Sequence, residues 1–334
     1  MEAGRRTRRV GSAGRLLGLA VVVGGALAAG GCRPAPEALR VPVSNWPAYE
    51  YVYLAEQTGL ARARGLNLQT VEFPDPQGIV HAYLRGDLPI AQLTTVEAVD
   101  ICSRAPDRCP VVVLVLDESR GGDQVAALPG IASLADLRGR RVGVTFSTLG
   151  PYVLSRALER HGLSLRDVQL RHLALAAMPD ALAAGEVDAV AFFPPYSEYA
   201  ARRGVARTLF TSREIPGEIF DVLVVDPELL RQRKPVLVSL LSAWQDAHRL
   251  RRSQPDQAVA SMARREGLSP AEFVDAERGL VYFDLRRQVS MLAPGGALER
   301  NLWAVRRVQE GLNLVKPGSP LPGVSNIPIQ EALR

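Results

Sequence analysis

The sequence has almost no lysine. Lys234 and Lys316 stand alone among 40 basic residues, and the rest are arginine. Cysteine and histidine are scarce as well, at three and four in 334 residues. His81, His161, His172 and His248 show no i, i+4 pair and have no cysteine beside them, which argues against a zinc site. No Gly-x-x-x-x-Gly-Lys is present, so the chain is no P-loop ATPase. The Gly-x-Ser-x-Gly elbow of serve-and-release hydrolases is missing too, as is a Gly-x-Gly-x-x-Gly after a strand. Little catalytic equipment remains. The chain reads as a binding protein, not an enzyme, with no cofactor and no metal.

What is present is an ordinary globular balance, 47% hydrophobic and 22% charged. That excludes wholesale disorder, collagen-like repeats and a polytopic membrane protein. The length allows about two domains. Residues 1–31 hold five arginines against Glu2, a net +4, which leaves +1 for everything after them. The body therefore carries no nucleic-acid signature.

Residues 1–15 are basic and residues 16–31 are an apolar run of sixteen, ending at Cys32. This is the layout of a signal peptide over 1–31, too short for a membrane span of about 20 residues. Ala29-Gly30-Gly31-Cys32 resembles a bacterial lipobox, with Ala29 where leucine is usual. Lipid attachment at Cys32 is the preferred reading; an ordinary secretory signal and a retained anchor helix are the alternatives. Residues 32–37 then form an extended tether, which would hold the body at the extracytoplasmic, periplasmic face of a membrane. Export means an oxidising space, where Cys102 and Cys109 can pair; otherwise they are two buried thiols.

Strands and helices alternate along the body. Strands are expected at 39–43, 67–73, 90–93, 111–116, 125–128, 141–144, 168–173, 189–193 and 222–225. Helices fall between them, and from Pro227 onward the pattern is helical, with 235–252, 256–266, 270–280 and 298–312. Trp244 and Trp303 lie in those helices and are expected to pack in the core. Arg85-Gly86-Asp87-Leu88-Pro89-Ile90 is echoed 99 residues later by Ala184-Gly185-Glu186-Val187-Asp188-Ala189. The economical fold class is α/β with two lobes built alike, parallel-rich sheets and a helical C-terminal region. Ligands of such sheets bind beyond the carboxyl ends of strands.

At this point the residues resemble a known family. Asn45-Trp46-Pro47, Tyr53-Leu54-Ala55, Gly59-Leu60 and Gly65-Leu66-Asn67-Leu68 look like the opening of the nitrate/sulfonate/taurine-type solute-binding proteins of ABC importers. Ile131-Ala132-Ser133-Leu134-Ala135-Asp136-Leu137-Arg138-Gly139 and Arg141-Val142-Gly143-Val144 resemble that family's second-lobe opening, and Ala184–Ala189 fits it as well. The resemblance covers about 40–315. Where such proteins often carry Glu-Pro, this chain has Pro194-Pro195.

The resemblance implies a two-lobed periplasmic-binding-protein fold of type II. One lobe would be 38–125 plus 226–334 and the other 126–225. It implies a monomer that closes on a small-molecule ligand and passes it to an ABC permease with its ATPase. An enzyme on the same fold, like the fungal thiamine-pyrimidine synthase, would need a Cys-rich motif that is absent here. A sensor module is the other alternative.

Residues expected at the ligand cleft follow the strands: Asn45, Trp46, Tyr49, Gln77, Thr94, Thr95, Glu97, Asp117, Ser147, Thr148, Phe193 and Asp221. Acids outnumber bases there, Arg120 being the nearest cation. That skew favours an amine or a nitrogen heterocycle such as an aminopyrimidine, with Trp46 or Tyr49 stacked on it. A sulfonate, taurine or nitrate held by helix N-termini is the alternative.

Overall fold

A computed structural model describes residues 37–334. The leader, most of the tether and Cys32 lie outside the described residues. The first stretch runs β1 (Leu39–Val43), α1 (Glu50–Gln57), α2 (Leu60–Ala63), β2 (Leu68–Glu72), α3 (Pro76–Arg85), β3 (Ile90–Thr94), α4 (Thr95–Arg104) and β4 (Val111–Ser119). The middle stretch runs β5 (Gln124–Ala127), β6 (Arg141–Val144), α5 (Leu149–Glu159), β7 (Gln169–His172), α6 (Met178–Ala183), β8 (Ala189–Phe192), α7 (Tyr196–Arg202) and β9 (Arg207–Thr211). The chain then returns through β10 (Phe220–Val225) to α8 (Pro227–Gln232), α9 (Lys234–Ser253), α10 (Pro255–Glu266) and α11 (Pro270–Glu277). It ends with β11 (Leu280–Val281), α12 (Leu285–Met291), α13 (Ala297–Gly311), β12 (Gly323–Val324) and α14 (Ile327–Ala332).

Two five-stranded sheets organise these elements. The first has the order β11-β4-β10-β3, with β12 against β4, and the separate pair β1-β2 lies parallel beside it. The second has the order β7-β6-β8-β5-β9. The expectation of parallel-rich sheets needs correction, because the pairing is mixed. The ladders β6-β7 and β6-β8 are parallel, while β10 is antiparallel to both β3 and β4, and β5 is antiparallel to β8 and β9. The cause is topological. The chain enters the second sheet through β5 and leaves it for the first through β10, and both strands run against their neighbours.

Separate cores back the two sheets. Trp244, Phe273, Leu114, Ile79 and Tyr83 belong to the first, and Phe210, Tyr152, Leu154 and Val142 to the second. Val112, Val113 and Val115 of β4 are fully buried and Val111, at its start, partly so, as an apolar run covered on both faces requires. Leu302 and Val305 of α13 join the second core, so the C-terminal helices serve both.

Other differences from the sequence reading have local reasons. The helical segment between β1 and β2 is not continuous but breaks into α1 and α2 at Gly59, whose φ of 75° is left-handed. β9, α8, α12, α14 and the two-residue strands were not foreseen. Trp303 is 49% exposed, not in the core, and lies under the Arg306 guanidinium instead. His248 is buried, stacked on Tyr51. Cys102 and Cys109 form a disulfide with a Cα separation of 4.3 Å. No helix among the described residues is long and apolar enough to cross a membrane.

Candidate ligand cleft

Five loops, the crossing from β4 to β5 and strand β10 meet between the sheets. The loop after β1 carries Ser44, Asn45 and Trp46 to the start of α1, where Tyr49 is the N-cap. Pro76 opens α3, Thr94 ends β3, and Glu97 is in the first turn of α4. Asp221 is in β10. The second sheet contributes Leu149 at the start of α5 and Phe193 after β8. Asp123 is on the crossing from β4 to β5. These eleven residues enclose about 20 Å³, room for about one water.

The walls are tied down by hydrogen bonds. Trp46 Nε1 donates to Asp117 Oδ1 at 3.0 Å, and the Tyr49 hydroxyl donates to Asp221 Oδ1 at 2.5 Å. Asp117 and Asp221 face each other across the β4-β10 ladder. Glu97 accepts from Thr94 N at 2.9 Å and from the Thr94 hydroxyl, which makes a capping box on α4. Its other oxygen accepts from Leu149 N at 2.8 Å, at the start of α5. The Trp46 ring stands edge-on to Phe193, 5.6 Å between centroids. Gly122 makes room for that indole, since a Cβ there would come within 2.7 Å of the ring.

No lysine, arginine or histidine lines the cavity. Burial raises the carboxyls of Asp117, Asp221 and Glu97 above the usual range, and the neighbouring acids add to this for the two aspartates. Burial, helped by the Glu97 charge, pushes Asp123 up to about 7. Ser44 Oγ, Asp117 Oδ2 and Asp123 Oδ2 are buried without a hydrogen-bond partner. Unsatisfied buried groups are costly, and around a cavity they are available to a ligand.

Of the twelve expected cleft residues, Asn45, Trp46, Tyr49, Thr94, Glu97, Phe193 and Asp221 line the cavity. Asp117 stands behind Trp46, and both aspartates lie inside strands, because β4 ends later and β10 begins earlier than expected. Thr95 is buried with its hydroxyl unpartnered. Gln77 reaches across to Phe146 O at 2.9 Å. Ser147 and Thr148 line an adjoining space of about 60 Å³ with Glu97. Thr148 is the N-cap of α5, but its hydroxyl donates to Thr145 O and accepts nothing from the helix. Arg120 is drawn away by Glu118 at 2.7 Å. Ser44, Pro76, Asp123 and Leu149 were missed. Asp123 had a signal, since Gly121-Gly122 before it marks a tight passage after an apolar strand. Among the described residues no group of histidine, cysteine, aspartate and glutamate is arranged to hold a metal ion.

The family model described as NMT1/THI5 like matches residues 46–258. The aliphatic sulfonates-binding protein of Escherichia coli (strain K12) is 27% identical over 243 residues, 70% of this chain and 73% of that one. The taurine-binding periplasmic protein of the same strain is 22% identical over 268 residues, 77% and 82% of the two chains. Among solved structures, the alkanesulfonate-binding protein of Xanthomonas axonopodis pv. citri, bound to MOPS, aligns with a TM-score of 0.70 at 18% identity, over 90% of this chain and 98% of that one. The fold is that of the periplasmic binding proteins, as expected.

Proposed function

The chain belongs to the NMT1/THI5-like family, and we propose that it is the solute-binding component of an ABC importer. The observation that carries this reading is the polar cavity between the two sheets, lined from both and holding the unpartnered Ser44 Oγ and Asp123 Oδ2. Residues 38–120 plus 218–334 would act as one lobe and 122–216 as the other, with the boundaries moved from the expected 125/126 and 225/226 so that β10 stays with its first-sheet partners and β5 with its second-sheet ones. The crossings near Gly121 and Gly217 would be the hinges. A solute enters the open form, its contacts with both lobes shift the population to the closed form, and the closed form delivers it to a permease driven by a separate ATPase. The body would be exported and held as a monomer at a membrane by lipid on Cys32.

The relatives' names point to small organosulfonates and taurine, which is nearer to the anion alternative than to the amine. The acid-lined walls favour a second reading, an amine or aminopyrimidine. Taurine carries both groups. Native mass spectrometry of the purified chain against taurine, ethanesulfonate, nitrate, alkylamines and aminopyrimidines separates them, and a chain that retains none of these contradicts both readings. Cys32→Ser should move the protein from the membrane fraction to the soluble one.

A further inference from the structure

We propose that Glu97 fixes the charge class of the solute: its carboxylate holds the Leu149 N–H, bars an anionic head group from the start of α5, and leaves the cavity to the hydrogen-bond-donating end of a solute. This rests on the reading that the cleft takes a solute.

The argument starts from what an anion would need. With no cationic side chain in the cavity, a negative charge would fall to the N–H groups at helix starts, with the Asn45 amide and the Ser44 hydroxyl as neutral donors beside them. α5 begins Leu149-Gly150-Pro151, and proline has no N–H. Of its first three residues only Leu149 and Gly150 can donate, and Leu149 already donates to Glu97 at 2.8 Å. Two other helices at the cleft are filled in the same way, while α1 has no side-chain cap and the Asp221 carboxylate stands against its N-cap residue Tyr49 instead. α3 is capped by Asp75, which accepts from Gly78 N at 2.8 Å, and α4 by Thr94 and Glu97. The chain has thus placed its own carboxylates where a sulfonate would sit.

The unpartnered groups ask for the opposite chemistry. Asp123 Oδ2 and Ser44 Oγ are buried, line the same cavity as Leu149, and lack a partner. Asp123 is 2% exposed and Ser44 1% exposed. An ammonium, amidine or amino group supplies the donor that Asp123 Oδ2 lacks, and the Ser44 hydroxyl, which donates or accepts, accepts from it as well; a sulfonate offers only acceptors and leaves Asp123 unmet. A solute bearing both groups would enter amine first, with its anionic end away from α5.

The test is isothermal titration of ethanesulfonate, which has no amine, into the native chain and into Glu97→Gln. The amide loses the charge and has one acceptor oxygen where Glu97 uses two, so it keeps the Thr94 cap and releases the Leu149 N–H. The expected result is ethanesulfonate binding at least tenfold tighter in Glu97→Gln, with the gain cancelled by adding Leu149→Pro, since proline is tolerated at the first helical position. Equal or weaker binding in Glu97→Gln, or none in either protein, overturns the proposal, as does a gain that survives Leu149→Pro. If Glu97→Gln fails to fold, Leu149→Pro alone decides: unchanged ethanesulfonate affinity supports the proposal and a tenfold loss overturns it. An amine that binds the native chain while Glu97→Gln gains nothing for ethanesulfonate defeats the role of Glu97 and leaves the importer reading standing.

Discussion

The wall of the cleft supplied by the first sheet is polar and fastened, whereas the wall supplied by the second is apolar and lightly held. On the first side Trp46 and Tyr49 are each pinned by an aspartate, and those aspartates share one strand ladder. On the second side Leu149 and Phe193 meet the cavity through contact alone, apart from the backbone N–H that Glu97 takes. The bodies behind them differ too. The first has the long helices α9 and α10 and the fully buried Trp244; the second has shorter elements around Phe210 and Tyr152. The difference teaches a division of labour. A preorganised face sets what is recognised, and a plainer face covers it.

Several substitutions would break or sharpen that comparison. The largest effect is expected in the first core, where Trp244→Ala should cost about 3–5 kcal/mol in chemical denaturation. A loss well below that would mean α9 adds little to the fastened side. Next comes the disulfide, which closes a loop of sequence separation 7 between α4 and β4. Replacing Cys102 and Cys109 by serine should cost roughly 2–3 kcal/mol by loop entropy, measured by urea unfolding. Asp117→Ala strands Trp46 Nε1 and should cost about 1–3 kcal/mol. Asp117→Asn keeps an acceptor and should lose less, so equal losses would refute the pinning of Trp46.

Asp123 gives a pH signature. Its folded value of about 7 lies above the ordinary value near 4 of an unfolded chain. Between those values the folded protein binds more protons than the unfolded one, so this group makes stability fall as pH rises from about 4 to 7, by at most about 1.4 kcal/mol per pH unit. Melting curves across that range should show the fall, and Asp123→Asn should lessen it without abolishing it, because Asp117, Asp221 and Glu97 are raised as well. The smallest effect belongs to the rim. Arg202 and Glu272 join α7 to α11 at the surface, and Arg202→Gln should change stability by less than about 1 kcal/mol.

Much of this was legible beforehand. The alternation of apolar runs and glycine-closed helices located most of the strands, and Gly86 and Gly185 are both left-handed, as the internal echo suggested. The residues just after the strands were legible because α/β sheets put ligands there. What escaped were features set by partners far away in sequence. Antiparallel β10 depends on where the chain re-enters the first sheet, and β9 is an edge strand whose first residues are exposed. The acceptor at the start of α5 comes from Glu97, 52 residues earlier, and not from Ser147 or Thr148 beside the helix. Trp303 sits one residue off the apolar series Leu298, Leu302 and Val305, and in α13 it faces outward.

The central claim is that this cleft closes on a small polar solute. Thermal unfolding of the purified chain and of Trp46→Ala, against amines, aminopyrimidines, taurine, alkanesulfonates and nitrate, tests it directly. A ligand at 100 times its dissociation constant adds about 2.7 kcal/mol of stability. The account predicts a raised melting temperature with at least one of these compounds, largest for an amine-bearing one, and a much smaller rise in Trp46→Ala. No rise with any of them, or an equal rise in Trp46→Ala, would contradict it.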